Sequence, residues 1–158
     1  MDLTYYTFNV DSGFSGTTVS PNDNSEGSNP LYDPISDTFF QFIADNHGRL
    51  QHRTIDSTTL AFGSPTHVKQ AGSPLVASVD DNHFVVLPAN RTACGLARDS
   101  NDNLSYLCID LESLSVTHFS ETPGIALCAA AVNHTQFWCF TISGENNRCL
   151  SQANANVG

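Results

Sequence analysis

The stretch Ala93 to Asp110, ACGLARDSNDNLSYLCID, constrains the fold more than any other: two strand-like runs flank an Asp/Ser/Asn turn, the pattern of a β-hairpin. The same plan recurs upstream in Phe39 to Asp56 (FFQFIADNHGRLQHRTID) and downstream in Phe137 to Gln152 (FWCFTISGENNRCLSQ). The unit starts, Phe39, Ala93 and Phe137, lie roughly 40 to 55 residues apart, a spacing at which repeated four-stranded sheets become propeller blades. No run carries convincing amphipathic helical periodicity, and the supply of Ser, Thr, Asn, Val and Phe favours strands and turns. The expected fold class is all-β, with about three propeller-like blades of short antiparallel strands in the chain; a β-sandwich or barrel is the alternative.

With 158 residues, 40% of them hydrophobic, the chain can bury a core without a metal or disulfide staple. Six basic against 16 acidic residues give a formal charge of −10, so the average surface repels phosphate backbones and anionic membranes. Nucleic acid and membrane are therefore not expected partners. The longest apolar stretch, Ile125 to Val132, is far short of a bilayer span, and the opening MDLTYYTFNV has neither the basic nor the apolar region of a signal peptide, which makes a cytoplasmic location the expectation. The five cysteines sit mostly inside apolar runs with no CxxC spacing and read as buried thiols. Three N-glycosylation sequons, Asn90-Arg-Thr92, Asn103-Leu-Ser105 and Asn133-His-Thr135, are about as many as this composition yields by chance.

The organisation follows from the runs and their gaps. Residues 1–10 hold an isolated strand, Leu3 to Val10; residues 11–29 are a Ser/Gly/Asn/Asp/Thr-rich stretch read as a flexible linker; residues 30–158 form the repeat domain. In the first unit the strands are PLYDPIS, TFFQFIAD, GRLQHRTID and TTLAFG, with Ser64 to Ser73 as an inserted loop. The second unit is HFVVLPA, ACGLARD, LSYLCID and SVTHFSE; the third, IALCAAAVN, QFWCFTIS and NNRCLSQ, is one strand short. Leu3 to Val10 is expected to cover the edge beside Asn147 to Gln152. Three blades cannot close a ring, so either two copies meet to make a six-bladed assembly or the chain is a fragment of a larger propeller.

The hairpin ACGLARDSNDNLSYLCID, preceded by an apolar strand and followed by SVTHF, resembles the blade unit of the fungal fucose-specific lectins, which are six-bladed propellers. The resemblance covers Pro30 to Gln152 as a rhythm, and LCID is similar to the end of the family's blade. It implies a carbohydrate-binding protein. The family's arginine position falls on Phe40, Cys94 and Trp138, and its glutamate position on His52, Tyr106 and Leu150, so the sugar sites implied are degenerate or altered. Trp138, Tyr106, Phe40 and Tyr32 are aromatics able to stack on a sugar ring, while Arg98 and His52 are polar groups in otherwise apolar strands. The ligand-binding set expected is Tyr106, Arg98, His52 and Trp138, with a glycan or small sugar as partner.

Two other function classes compete. A glycoside-directed hydrolase on the same scaffold would need paired carboxylates, but Asp80 and Asp81 point to opposite faces of a strand, and no Gly-x-Ser-x-Gly occurs. A non-catalytic interaction module, or a truncated lectin fragment, needs no site at all. His47 and His52 are the one close histidine pair, without metal-ligand spacing, and Asp99, Asn101 and Asn103 start like a calcium loop whose glycine and closing glutamate are missing. No catalytic residue, cofactor or metal is assigned.

Overall fold

The computed structural model describes residues 3–9, 11, 13–19, 27–59, 61–79, 84–99, 101, 103–121, 125–131, 133, 136–143 and 149–156. The chain is all-β. Among the described residues there is no α-helix, and no helix long and apolar enough to cross a membrane.

Strands β1 (Leu3–Asn9) and β2 (Gly13–Val19) form an antiparallel hairpin of their own, with Leu3 opposite Val19 and Asn9 opposite Gly13. This corrects two expectations: among the described residues the amino-terminal strand pairs with its sequence neighbour and not with Cys149–Asn156, and Gly13–Val19 within the expected linker is strand. Phe14, Thr17, Thr18 and Val19 are β-forming residue types that the interspersed Gly and Ser mask in a compositional reading, and the short sequence gap between the two strands keeps the entropic cost of pairing small.

The first large sheet is a meander of β3 (Leu31–Asp33), β4 (Thr38–Ala44), β5 (Leu50–Ile55) and β6 (Thr66–His67). Its fourth strand is not the expected TTLAFG, where Phe62 makes one isolated bridge to Ile55, but lies within the segment read as an inserted loop. A hairpin of β7 (Lys69–Gln70) and β8 (Ser73–Pro74) follows, turned by Ala71 and Gly72, both at positive φ, as a two-residue hairpin loop of this twist requires. The second meander comprises β9 (Phe84–Leu87), β10 (Thr92–Arg98), β11 (Leu104–Asp110) and β12 (Ser115–Glu121), and β7 joins its outer edge in parallel through Lys69 and Ser115. A 3-10 turn, Pro88–Asn90, links β9 to β10. The third sheet is β13 (Ile125–Ala131), β14 (Gln136–Ser143) and β15 (Cys149–Asn156); the first two match the expected runs, while β15 continues past the expected NNRCLSQ to Asn156, and residues 146–148 of that run lie outside the described residues.

The first two sheets share their turns. Asp45 and Asp99 end β4 and precede β11 by the same hairpin: in each, the aspartate N–H donates to the carbonyl four residues on, and its Oδ1 accepts from the N–H groups two and four residues on (2.8–2.9 Å). Asp33, Asp56 and Asp110 cap a second kind of turn, in which a Ser or Thr three residues later donates its hydroxyl back to the carboxylate at 2.7 to 2.9 Å. The offset from Asp45 to Asp99 equals that from Asp56 to Asp110. An aspartate at a strand end is a local instruction to the backbone, because its carboxylate satisfies turn N–H groups that would otherwise need water.

Burial then orders the sheets in chain sequence. Leu31, Phe40, Phe42 and Leu50 of the first sheet pack with Phe84, Ala93, Ala97, Leu107 and Ile109 on one face of the second. Phe42 and Phe84 meet across this seam with ring centroids 5.0 Å apart. The other face of the second sheet buries Leu87, Cys94, Leu96, Leu104 and Cys108 against Phe137 of β14. The segment from Leu75 to Val79 crosses between the first two sheets with Leu75, Ala77 and Val79 buried and Val76 and Ser78 exposed, an alternation of period two. Asp33 and Arg91 clamp the first seam, Arg91 Nε donating to Asp33 Oδ2 at 2.9 Å. Burial disfavours the Asp33 anion, but the Ser36 hydroxyl, the Arg91 guanidinium and the Ile35 N–H outweigh it and hold this carboxyl below the usual range.

Two of the five cysteines are not thiols. Cys94 and Cys108 stand directly opposite each other in β10 and β11 and form a disulfide, with Cα atoms 4.2 Å apart. An apolar run hides such a pair from the sequence, because only the hairpin register brings the two positions face to face.

Candidate functional site

The first sheet shows two different faces. Along β3 and β4 the alternation places Leu31 opposite Phe40 toward the core, and Tyr32 opposite Phe39 on the outer face. Tyr32 and Phe39 are 42% and 39% exposed, and Ile35 in the intervening turn is 64% exposed. The Tyr32 and Phe39 rings stand with centroids 5.0 Å apart at an interplanar angle of 42°. Tyr32 is fixed by a hydrogen bond from its phenol to Asp37 Oδ1 (2.7 Å), and Asp37 takes the left-handed conformation (φ 52°) that a short polar side chain tolerates in such a turn. Accepting that hydrogen bond, the Asp37 carboxylate raises the Tyr32 phenol above its ordinary value.

Further along the same face the register sets Gln41 opposite Arg53. Both are buried. Arg53 donates from Nε (3.3 Å) and Nη2 (3.0 Å) to Gln41 Oε1, and Gln41 donates from Nε2 to the Ser28 carbonyl (2.6 Å). The guanidinium carbon lies 3.9 Å from the centroid of Phe62, a cation–π distance. The outer face thus carries an exposed aromatic platform that runs into a buried, hydrogen-bonded arginine.

Of the expected ligand residues, His52 and Tyr106 lie against different core clusters. His52 faces the first seam, stacked on Phe40 (4.9 Å, 30°) and edge-on to Phe42 (6.1 Å). Burial lowers its pKa; the Asp33 carboxylate pulls it up and the Arg91 guanidinium pushes it down, and the net direction is down, so the ring is neutral at neutral pH. Tyr106 holds the equivalent position in the second sheet, opposite Leu96 and half-buried against the second core cluster. Arg98, at the end of β10, pairs with Leu104 and bridges to Ser78 through its backbone (2.8 and 3.0 Å). Trp138 lies in β14 opposite Ala130 and Asn154, and its side chain falls outside the described residues. Of the other aromatics considered for stacking, Phe40 is core, at 1% exposure, and Tyr32 is on the surface.

Phe39, Asp37, Gln41 and Arg53 were not singled out by the sequence reading. The run FFQFI looks uniformly apolar, and its alternation is carried by one residue, Gln41, which betrays a face that needs a polar partner. Among the described residues no group of three His, Cys, Asp or Glu side chains gathers as metal ligands would. No protein-family model matches the chain, and no curated protein matches it.

Proposed function

We propose that the chain is a carbohydrate-binding, lectin-like protein whose successive sheets are propeller-like blades, and that a sugar ring is bound on the Tyr32–Phe39 platform. The observation that carries this reading is the exposed aromatic pair held in place by Asp37. A pyranose offers a C–H face that stacks on an aromatic plane, and hydroxyl groups at its edge that donate to a carboxylate. Asp37 is positioned to accept such a donor, and Ile35 extends the apolar rim. With a formal charge of −10 the surface disfavours sialylated or sulfated glycans, which points to neutral sugars. The capping aspartates Asp33, Asp45, Asp56, Asp99 and Asp110 each accept at least one N–H of their own turn, which supports a structural role for them over that of a hydrolase acid/base pair.

A neutral-glycan array probed with the intact chain and with Tyr32→Ala and Phe39→Ala tests this. Each variant is expected to lose about two- to tenfold in apparent affinity, the worth of one stacking contact. Binding that both variants retain in full, or no binding to any glycan, would overturn the proposal.

A further inference from the structure

Three features of the β10–β11 hairpin combine. Its turn presents Asn103, exposed, in the sequon Asn103-Leu104-Ser105. Its strands are joined by the Cys94–Cys108 disulfide. Ser105, two residues after the asparagine, is 1% exposed, and its hydroxyl has no hydrogen-bond partner among the described residues.

The last feature is the unusual one. A buried hydroxyl without a partner is destabilising relative to an apolar group of the same size, so the folded protein gives this atom no use. The first sequon differs: Thr92 is also buried, but its hydroxyl donates to the Asn90 carbonyl at 3.0 Å and so serves the fold. A hydroxyl two residues beyond an asparagine does have a use before folding, because glycosyl transfer to Asn-x-Ser/Thr requires it while the chain is still extended. The disulfide supplies the matching compartment, since stable disulfides form where thiols are oxidised, along the secretory route.

We propose that Asn103 is an N-glycosylation site and that the chain matures in an oxidising secretory compartment. In the transfer, Asn103 Nδ2 forms a bond to C1 of the first sugar of a lipid-diphosphate-linked oligosaccharide. The C1–O bond to the diphosphate breaks, and the proton lost from Nδ2 is balanced on the released lipid diphosphate. One Nδ2 hydrogen remains. In the folded hairpin Asn103 Nδ2 donates to Asp99 Oδ2 at 3.1 Å, so the hydrogen that survives the transfer can keep this bond while the glycan projects from the turn.

The test is peptide mass spectrometry of the full chain recovered from the cells that make it, with differential alkylation of the cysteines. The expected result is a glycan on the Asn103 peptide, conversion of Asn103 to Asp on enzymatic release, and Cys94 and Cys108 recovered as a disulfide. Asn103→Gln, a change on an exposed turn, and Ser105→Ala should each abolish that glycan. In chain made without glycosylation, Ser105→Ala should melt no lower than the unsubstituted protein. The proposal is overturned by an Asn103 peptide that is wholly unmodified, by cysteines recovered as free thiols, by a glycan that survives Ser105→Ala, or by a clear fall in melting temperature of the unglycosylated Ser105→Ala chain.

Discussion

The first and second sheets share their turns and differ in what fills their middle. Both end the equivalent strand on an aspartate cap, Asp45 or Asp99 and Asp56 or Asp110, with the same pattern of donated N–H groups. At the central rungs the first sheet sets Phe40 opposite Thr54 and Phe42 opposite His52; the second sets Cys94 opposite Cys108 and Leu96 opposite Tyr106. One hairpin is held by ring stacking across a seam, the other by a covalent bond within itself. The scaffold is thus written in the loop carboxylates, while the rungs between them are free to diverge.

Removing the aromatic that closes the first seam should do the most damage. Phe42 is fully buried and touches both His52 and Phe84, so Phe42→Ala is expected to cost about 3 to 5 kcal/mol, read from urea unfolding midpoints. The corresponding test of the second sheet is the Cys94→Ala/Cys108→Ala pair, which frees a closed loop of sequence separation 14 and should cost about 2 to 4 kcal/mol. Equal stability of the disulfide-free and intact chains would show that packing against Phe137, and not the covalent bond, holds this hairpin.

His52 sharpens the contrast through pH. Its ring is held neutral in the fold, below the ordinary value of 6.5, so the unfolded chain binds more protons in the window just below that value. The stability it contributes is fully present above about pH 6.5 and is lost as pH falls through the folded value. His52→Gln should flatten that part of a melting-temperature profile; an unchanged slope would mean that the ring titrates freely in the fold.

The smallest effects belong to the turns. The N–H and hydroxyl groups of Thr59 and Ser113 hold Asp56 and Asp110 below the usual carboxylate range, so their contribution is present above about pH 4 and fades as pH falls through the folded values. Asp56→Asn and Asp110→Asn should lower the melting temperature slightly and to a similar extent at neutral pH. A large difference between them would break the claim that the two turns are equivalent.

What the sequence made legible follows this same division. Strand runs with Asp-led turns, such as ARDSNDNLS and CIDLESLS, announce both their strands and their ends, because the signal is local. The pairing of Cys94 with Cys108 and the outward direction of Phe39 depend on register, which only the closed hairpin supplies. The β1–β2 hairpin is illegible for a third reason: in Gly13–Val19, glycine and serine dilute a β-forming run. Among the expected site residues His52 stands out as a titratable group in its strand, and the structure places it in the first seam, against Phe40 and Phe42. The exposed partner of Tyr32 was hidden in FFQFI.

The proposed site itself is decided by titrating the chain with neutral mono- and oligosaccharides while following the ring resonances of Tyr32, Phe39, His52 and Tyr106. The account predicts saturable shifts at Tyr32 and Phe39, abolished by Phe39→Ala, with His52 in its seam unmoved. Shifts at His52 or Tyr106 with Tyr32 and Phe39 silent would place the ligand between the sheets and contradict it.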